Sequence, residues 1–398
     1  MAWIWRTEES PAVYRPERAD YVTVGMIIGH VTWRGMMKMR CLCALVVLMA
    51  LGRPVVANGW TVSYVHPAGA GESRGQSVSV DQIAGYGRIG GVNHAIAWNA
   101  QTGSFADLNP SAASQSRAYG VGGGVQVGYA TIAGQDHAGL WSGSASSWRD
   151  LHPAGAIWSE ACATNGVQQV GCAQFTNQYH AVLWSGSNSL YTDLHIAGSP
   201  YSLANSICGT QQGGYAFIGG HQHAILWNGS ATDYSDLTPN GSMDAHLTSI
   251  TDGQQAGAAV VSGSSHAGVW SGTKGSWFDL NPTGAGYSEA LGIAAGRVVG
   301  YADFGGKTHA LMWASDTGSW FDLQSLLSND YNESQATSIS VYGGSTLIGG
   351  YAYNRVTSRY EAVEWKLVQA VPEPASAFVL CTMGIPLVLT IVRTRRRG

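Results

Sequence analysis

Short runs in which apolar and polar residues alternate fill the chain, and they return at a fixed interval. Four such runs follow one another between 288 and 323: Ser-Glu-Ala-Leu-Gly-Ile at 288–293, Val-Val-Gly-Tyr-Ala at 298–302, His-Ala-Leu-Met-Trp at 309–313 and Ser-Trp-Phe-Asp-Leu at 319–323. Each run is β-prone and bounded by Gly, Asn, Ser or Asp, which predicts four short strands. Ala295-Gly296 forms the first turn of this unit, and Asn165-Gly166 and Asp252-Gly253 stand in its place elsewhere. Both dipeptides tolerate positive φ and suit tight hairpins.

The third run sets the register of the whole chain. His94, His137, His180, His223, His266 and His309 are each followed by Ala, and all are 43 residues apart. Trp98, Trp141, Trp184, Trp227, Trp270 and Trp313 follow four residues later, and Asp107, Asp150, Asp193, Asp236, Asp279 and Asp322 keep the same spacing. Glycine recurs in the second run at Gly85, Gly128, Gly171, Gly214, Gly257 and Gly300. Such a glycine marks close backbone approach, expected here where units converge on an axis.

A period of 43 residues suits one four-stranded propeller blade. A seventh unit is degenerate: Glu361-Ala362-Val363-Glu364-Trp365 replaces the His-Ala phrase, 52 residues after the sixth. The nine extra residues are expected mostly around 327–335. No fourth run follows Trp365, whereas a spare one, Trp60 to Val65, precedes the first unit. The predicted fold is all-β: a propeller of seven four-stranded blades over 58–370. A split last blade would close the ring and remove its exposed edges.

Charge narrows the function. Only 12% of residues are charged. Residues 58–370 hold 20 acidic and 10 basic side chains, a balance that excludes a nucleic-acid partner, which requires a basic face.

The ends of the chain speak of export. Residues 1–35 differ from the rest and read as a misassigned extension. Residues 36–57 begin with Met36-Met37-Lys38-Met39-Arg40, continue with an apolar run and end in Val55-Val56-Ala57. That order is a secretory signal peptide. At the other end, Val371-Pro372-Glu373-Pro374 is followed by an apolar stretch from 375 to 392 and by Arg393, Arg395, Arg396 and Arg397. Eighteen apolar residues approach the length of a transmembrane helix, and the arginines would stay cytoplasmic. Residues 371–398 resemble a PEP-CTERM sorting signal in all three parts. The resemblance implies a Gram-negative-type bacterium, an exosortase-type membrane protease as partner, and an inner-membrane intermediate that is released to the surface or matrix.

Candidate chemistry is repeated rather than unique. Ser288, His309 and Asp322 recur as a type in nearly every unit, whereas a catalytic triad needs one set in one cleft. The pattern is similar to that of WD-repeat propellers, which implies a buried Ser-His-Asp-Trp network in each blade. No unique polar cluster stands out, so no catalytic or cofactor residue is assigned. Six histidines in separate blades lie too far apart to share one metal ion, and His221 adds only a weak pair with His223. Cys162 and Cys172 fall on one hairpin, where either a disulfide or two buried thiols would fit; Cys208 is expected to be buried. Trp158, Tyr201 and Tyr287 precede first strands and would either pack between blades or stack on sugar rings.

The repeats over 66–365 resemble the HAF-type extracellular repeats, although the third position is Ile96, Gly139, Val182, Ile225, Gly268 or Leu311 and never Phe. The expected function is that of an exported, non-catalytic propeller of the cell envelope or polymer matrix. A glycan-binding propeller with an extracellular polysaccharide as partner is the alternative, and a polysaccharide hydrolase or lyase comes third.

Overall fold

The alternating runs become strands where the pattern places them. In the unit read above they are Ser288–Ala294, Arg297–Asp303, Thr308–Ala314 and Trp320–Asp322, paired antiparallel in that order. The computed structural model describes residues 59–186 and 188–368. The extension, signal peptide and sorting tail lie outside the described residues. The described residues form seven four-stranded sheets. Their first strands are Ser73–Ser79 in blade 1, Ala113–Gly122 in blade 2, Trp158–Thr164 in blade 3 and Ser202–Cys208 in blade 4. Ala245–Ile250, Ser288–Ala294 and Tyr331–Tyr342 begin blades 5, 6 and 7.

The spare run closes the ring. Trp60–Tyr64 pairs antiparallel with Arg359–Val368 as the outer strand of blade 7, in register from Trp60 opposite Leu367 to Tyr64 opposite Val363. Val65 then donates its N–H to Ala362 O at 3.0 Å, as Leu108 does to Ala95 O at 2.8 Å. The chain start thereby supplies the piece that each other blade takes from its own fourth strand.

The nine extra residues of blade 7 are distributed differently from the expectation. Ser334 replaces Ser288 with an offset of 46, so three residues enter ahead of Ser334. Ala336 opposite Gly350, against Ala290 opposite Gly300, puts four more in the first hairpin. Gly350 opposite Val363, against Gly300 opposite Leu311, puts two in the second. Added in antiparallel pairs, residues lengthen a hairpin without flipping its faces.

The core is seven separate seams. Each joins a tryptophan of one blade to aliphatic residues of the blade before it: Trp184 meets Val127, Ala138, Leu140 and Leu151, and Trp313 meets Ala256, Ala267, Val269 and Leu280. Trp98 and Val65 share the closing seam. All seven tryptophans are fully buried. The free third position is explained by packing. Where it is Gly139 or Gly268, the ring of Trp148 or Trp277 occupies the space, and an added Cβ would lie 2.1 Å from it.

First strands of neighbouring blades pack against one another all round the ring and line a central channel. In every blade a β-bulge interrupts the pairing of first and second strands. The second-strand glycine sits opposite that bulge. A Cβ on Gly128 would stand 1.9 Å from Arg117 O, and one on Gly300 would stand 1.9 Å from Glu289 O. The glycine therefore answers the bulge within its own blade, and not the convergence of blades.

Candidate functional site

The register-locked residues fall into two sets of contacts. Each His pairs with the Asp of its own blade through Nδ1: His94 with Asp107, His137 with Asp150, His223 with Asp236 and His266 with Asp279 at 2.7 Å. His180 reaches Asp193 at 2.8 Å and His309 reaches Asp322 at 3.0 Å. The other carboxylate oxygen accepts the backbone N–H two residues on, as Asp279 does from Asn281 at 2.8 Å. These pairs lie on the outer rim and are not buried: the Asp side chains are 28–46% exposed. Asp236 is held below the usual carboxylate range; burial opposes this, but hydrogen bonds from Thr238 and His223 prevail.

Serine belongs to a different contact. Ser288 Oγ accepts the N–H of Ala267, in the preceding blade, at 2.9 Å and donates to Asn281 Oδ1 at 2.6 Å. Ser73, Ser116, Ser159, Ser202 and Ser334 repeat this staple. In the remaining seam Ala245 replaces serine, and Thr238 Oγ1 takes the N–H of Ala224 at 3.1 Å. The predicted Ser-His-Asp-Trp network is thus split into a rim pair and an inter-blade staple. Tryptophan takes part in neither: Trp184 and Trp365 donate to Leu151 O and Leu323 O, and the other five indoles have no partner among the described residues.

Along the innermost strands the repeat gives way to positions that vary in chemistry from blade to blade. The residue after the staple position of the first strand is Arg74, Arg117, Glu160, Leu203, His246 or Glu289 in blades 1 to 6, with Gln335 at the same place in blade 7. Its carbonyl is the one pinned against the second-strand glycine, and the bulged residue, such as Tyr119 or Cys162, lies two positions further on and lines the channel. All seven stand on the innermost strands. Spacing alone hid this asymmetric polar ring, because a register position without a common residue reads as noise.

Tyrosines of the second strand complete the ring. The Arg117 guanidinium lies 4.6 Å from the centroid of Tyr86, and that of Arg74 lies 4.6 Å from Tyr351 and 4.3 Å from Tyr360. Across the channel His246 Nε2 meets Glu289 Oε1 at 3.0 Å, and Tyr301 donates to Glu289 Oε2 at 2.6 Å. A cavity of about 390 Å³ opens there, lined by His246, Glu289, Tyr215, Asn205 and Thr248 among others.

Hydrogen bonding sets the two carboxyls apart. Glu160 is pushed up to about 7, chiefly by burial and further by the charge of Asp136, with Arg117 opposing. Burial would raise Glu289 too, but the bonds from His246 and Tyr301 hold it below the usual range. One carboxyl of the ring is therefore half-protonated near neutral pH while the other is ionised, a separation that suits acid–base work or discrimination between charged and uncharged ligands.

Loop aromatics border the mouth by packing on its ring. Tyr201 and Tyr287 meet Tyr215 and Tyr301 edge to face, each at 6.2 Å. Trp158 opens the first strand of blade 3 and donates Nε1 to Asp136. Cys162 and Cys172 are free thiols, and Cys172 Sγ stands 4.0 Å from Glu160 Oε1. Cys208 is partly exposed, contrary to expectation, because it closes a first hairpin at the surface. His221 lies 3.8 Å from Asp244.

Solved structures match this fold at low identity. The chain is similar to a puromycin-hydrolyzing peptidase of Mycobacterium tuberculosis, with 13% identity and a TM-score of 0.50, over 78% of this chain and 56% of the peptidase. It thus spans little more than half of that enzyme. The β-propeller domain of the Trilobed protease from Pyrococcus furiosus, described as having an open velcro topology, matches with 9% identity and a TM-score of 0.50, over 74% of this chain and 95% of that domain. No protein-family model and no curated protein matches the sequence.

Proposed function

We propose that this protein is an exported, non-catalytic propeller of the cell envelope or extracellular matrix that holds a polysaccharide at the mouth of its central channel. One observation carries the reading: seven structurally equivalent positions on the innermost strands differ in charge and size, while the tryptophan seams and hydroxyl staples between blades repeat. A scaffold needs no such variation, and a binding mouth does. Tyrosine faces beside arginine, histidine and carboxylate offer both the apolar surface and the hydrogen bonds that a sugar uses. The signal peptide at 36–57 and the tail with Pro372, Glu373, Pro374 and Arg393 to Arg397 support export and exosortase-type processing. A glycan array with the full-length protein tests the binding: loss of signal in Arg117→Gln and His246→Gln, with unchanged melting temperature, is the expected result. Signal retained in both variants overturns it. For sorting, the mature protein should lack Arg393 to Arg397 by intact mass.

The split between Glu160 and Glu289 favours a second reading, a polysaccharide hydrolase or lyase. Turnover of the bound glycan that disappears in Glu160→Gln would establish it in place of the first.

A further inference from the structure

The closing seam, between blades 7 and 1, departs from the others in Arg88 and Glu361. Just ahead of the staple position, blades 3, 4 and 6 carry Trp158, Tyr201 and Tyr287, blades 2, 5 and 7 carry Gln115, Asp244 and Glu333, and blade 1 carries Glu72 beside Gly71. The backbone N–H that meets this residue belongs to Phe217 in blade 4 and to Arg88 in blade 1, with Arg88 N 2.9 Å from Glu72 O. Where blade 4 stacks Tyr201 on Phe217, blade 1 has Glu72 and Arg88 joined through the backbone alone. On the blade 7 side, Glu361 stands where the other blades have the rim histidine. It is buried and holds Arg359 Nε at 2.8 Å.

The exchange leaves a cavity of about 750 Å³ over the seam, lined by Arg88, Arg359, Glu72, Tyr353 and Tyr360 among others. Its volume falls in the range of small-ligand sites. Arg88 uses only Nε, on Gly91 O at 2.9 Å, and Arg359 uses Nε and Nη1, the latter on Ala70 O at 3.0 Å. Both Nη atoms of Arg88 and Nη2 of Arg359 have no partner among the described residues. Tyr360 joins this cavity to the mouth, since its ring also carries the Arg74 guanidinium.

Resting on the glycan-binding reading above, we infer that the seam cavity is a subsite for a uronic acid, the carboxylated unit of an acidic oligosaccharide. Two guanidiniums with free donors recognise a carboxylate through paired hydrogen bonds. Glu72 accepts hydrogen bonds from sugar hydroxyls, and the tyrosines offer apolar surface to the C–H face of the ring. A neutral sugar leaves the guanidiniums unanswered. A bare sulfate or phosphate leaves the tyrosines and the hydroxyl-accepting Glu72 unused.

The test is calorimetry on the full-length protein with a glucuronic acid trimer, its methyl ester and inorganic sulfate. The trimer should bind at least about tenfold more tightly than the ester or sulfate, and Arg88→Gln should remove about that factor, since hydrogen bonds to charged groups are the stronger class. Arg88 makes one exposed side-chain bond, so the variant is expected to melt with the wild type. Equal binding of ester and acid, sulfate binding as tightly as the trimer, or full affinity in folded Arg88→Gln overturns the subsite. If trimer binding is lost in Arg117→Gln and kept in Arg88→Gln, the mouth reading stands and the seam inference falls. If no glycan binds at all, both fall.

Discussion

Replacing Ser288 by alanine isolates the inter-blade staple. Ser288 is fully buried, and its Oγ is the acceptor of the Ala267 N–H at 2.9 Å. Loss of the hydroxyl leaves that donor buried without a partner, at a cost of about 1–3 kcal/mol. Asn281 Oδ1 also loses its donor, but it lies closer to solvent, so the orphaned N–H dominates. The protein contains its own remedy. At the equivalent seam Ala245 stands in place of serine, and Thr238 supplies the hydroxyl to Ala224 N at 3.1 Å. Thr238 N and Asn281 N meet the preceding Asp carboxylate at 2.9 and 2.8 Å, so the two backbones share one geometry. Asn281→Thr combined with Ser288→Ala should therefore recover most of the loss, giving a favourable coupling of about 1–2 kcal/mol in a double-mutant cycle. Urea unfolding followed by tryptophan fluorescence reads the cycle, provided that the m-value stays constant across the four proteins. A Ser288→Ala protein as stable as the wild type, or a double variant no better than the single, would refute the staple.

Three further outcomes follow from the same structure. His66, His152 and His195 are held below the ordinary histidine range, mainly by burial, with Arg359 adding at the first and His137 and His180 at the others. The unfolded chain takes up protons from about pH 6.5 downward and the folded one resists, so their stability is complete above that pH and falls below it; exchange of all three for Asn, the residue at 109 and 281, should flatten a melting-temperature profile between pH 7 and 5. Glu364 has the opposite sign: it is buried, Oε2 is unpaired, and burial lifts it to about 7 against the Lys366 charge. Glu364→Leu should stabilise by about 3 kcal/mol more at pH 8 than at pH 4, and urea midpoints that shift equally at both pH values would refute this. Deleting residues 59–65 removes the outer strand of blade 7 and the Val65 contact, so it should lower the urea midpoint well beyond a surface-loop deletion of equal length.

The sequence by itself determined the number of blades, the order of strands within them and the split closure. The first two follow from contacts between neighbours in the chain, which a 43-residue period repeats until the pattern exceeds noise, and the closure follows from the spare run at one end matching the missing one at the other. The tryptophan register fixed the core for the same reason, since each ring needs only the blade before it. Tertiary structure alone decided the rest. Burial is a property of the ring and not of the repeat, so the His–Asp pairs that read as buried stand on the rim. Gly139 and Gly268 made sense only once the Trp148 and Trp277 rings were placed over them. Arg74, Arg117, Glu160, His246 and Glu289 keep the 43-residue register, but without a common residue type the position does not stand out along the chain. They share one mouth because the innermost strands that carry them meet only when the ring is closed.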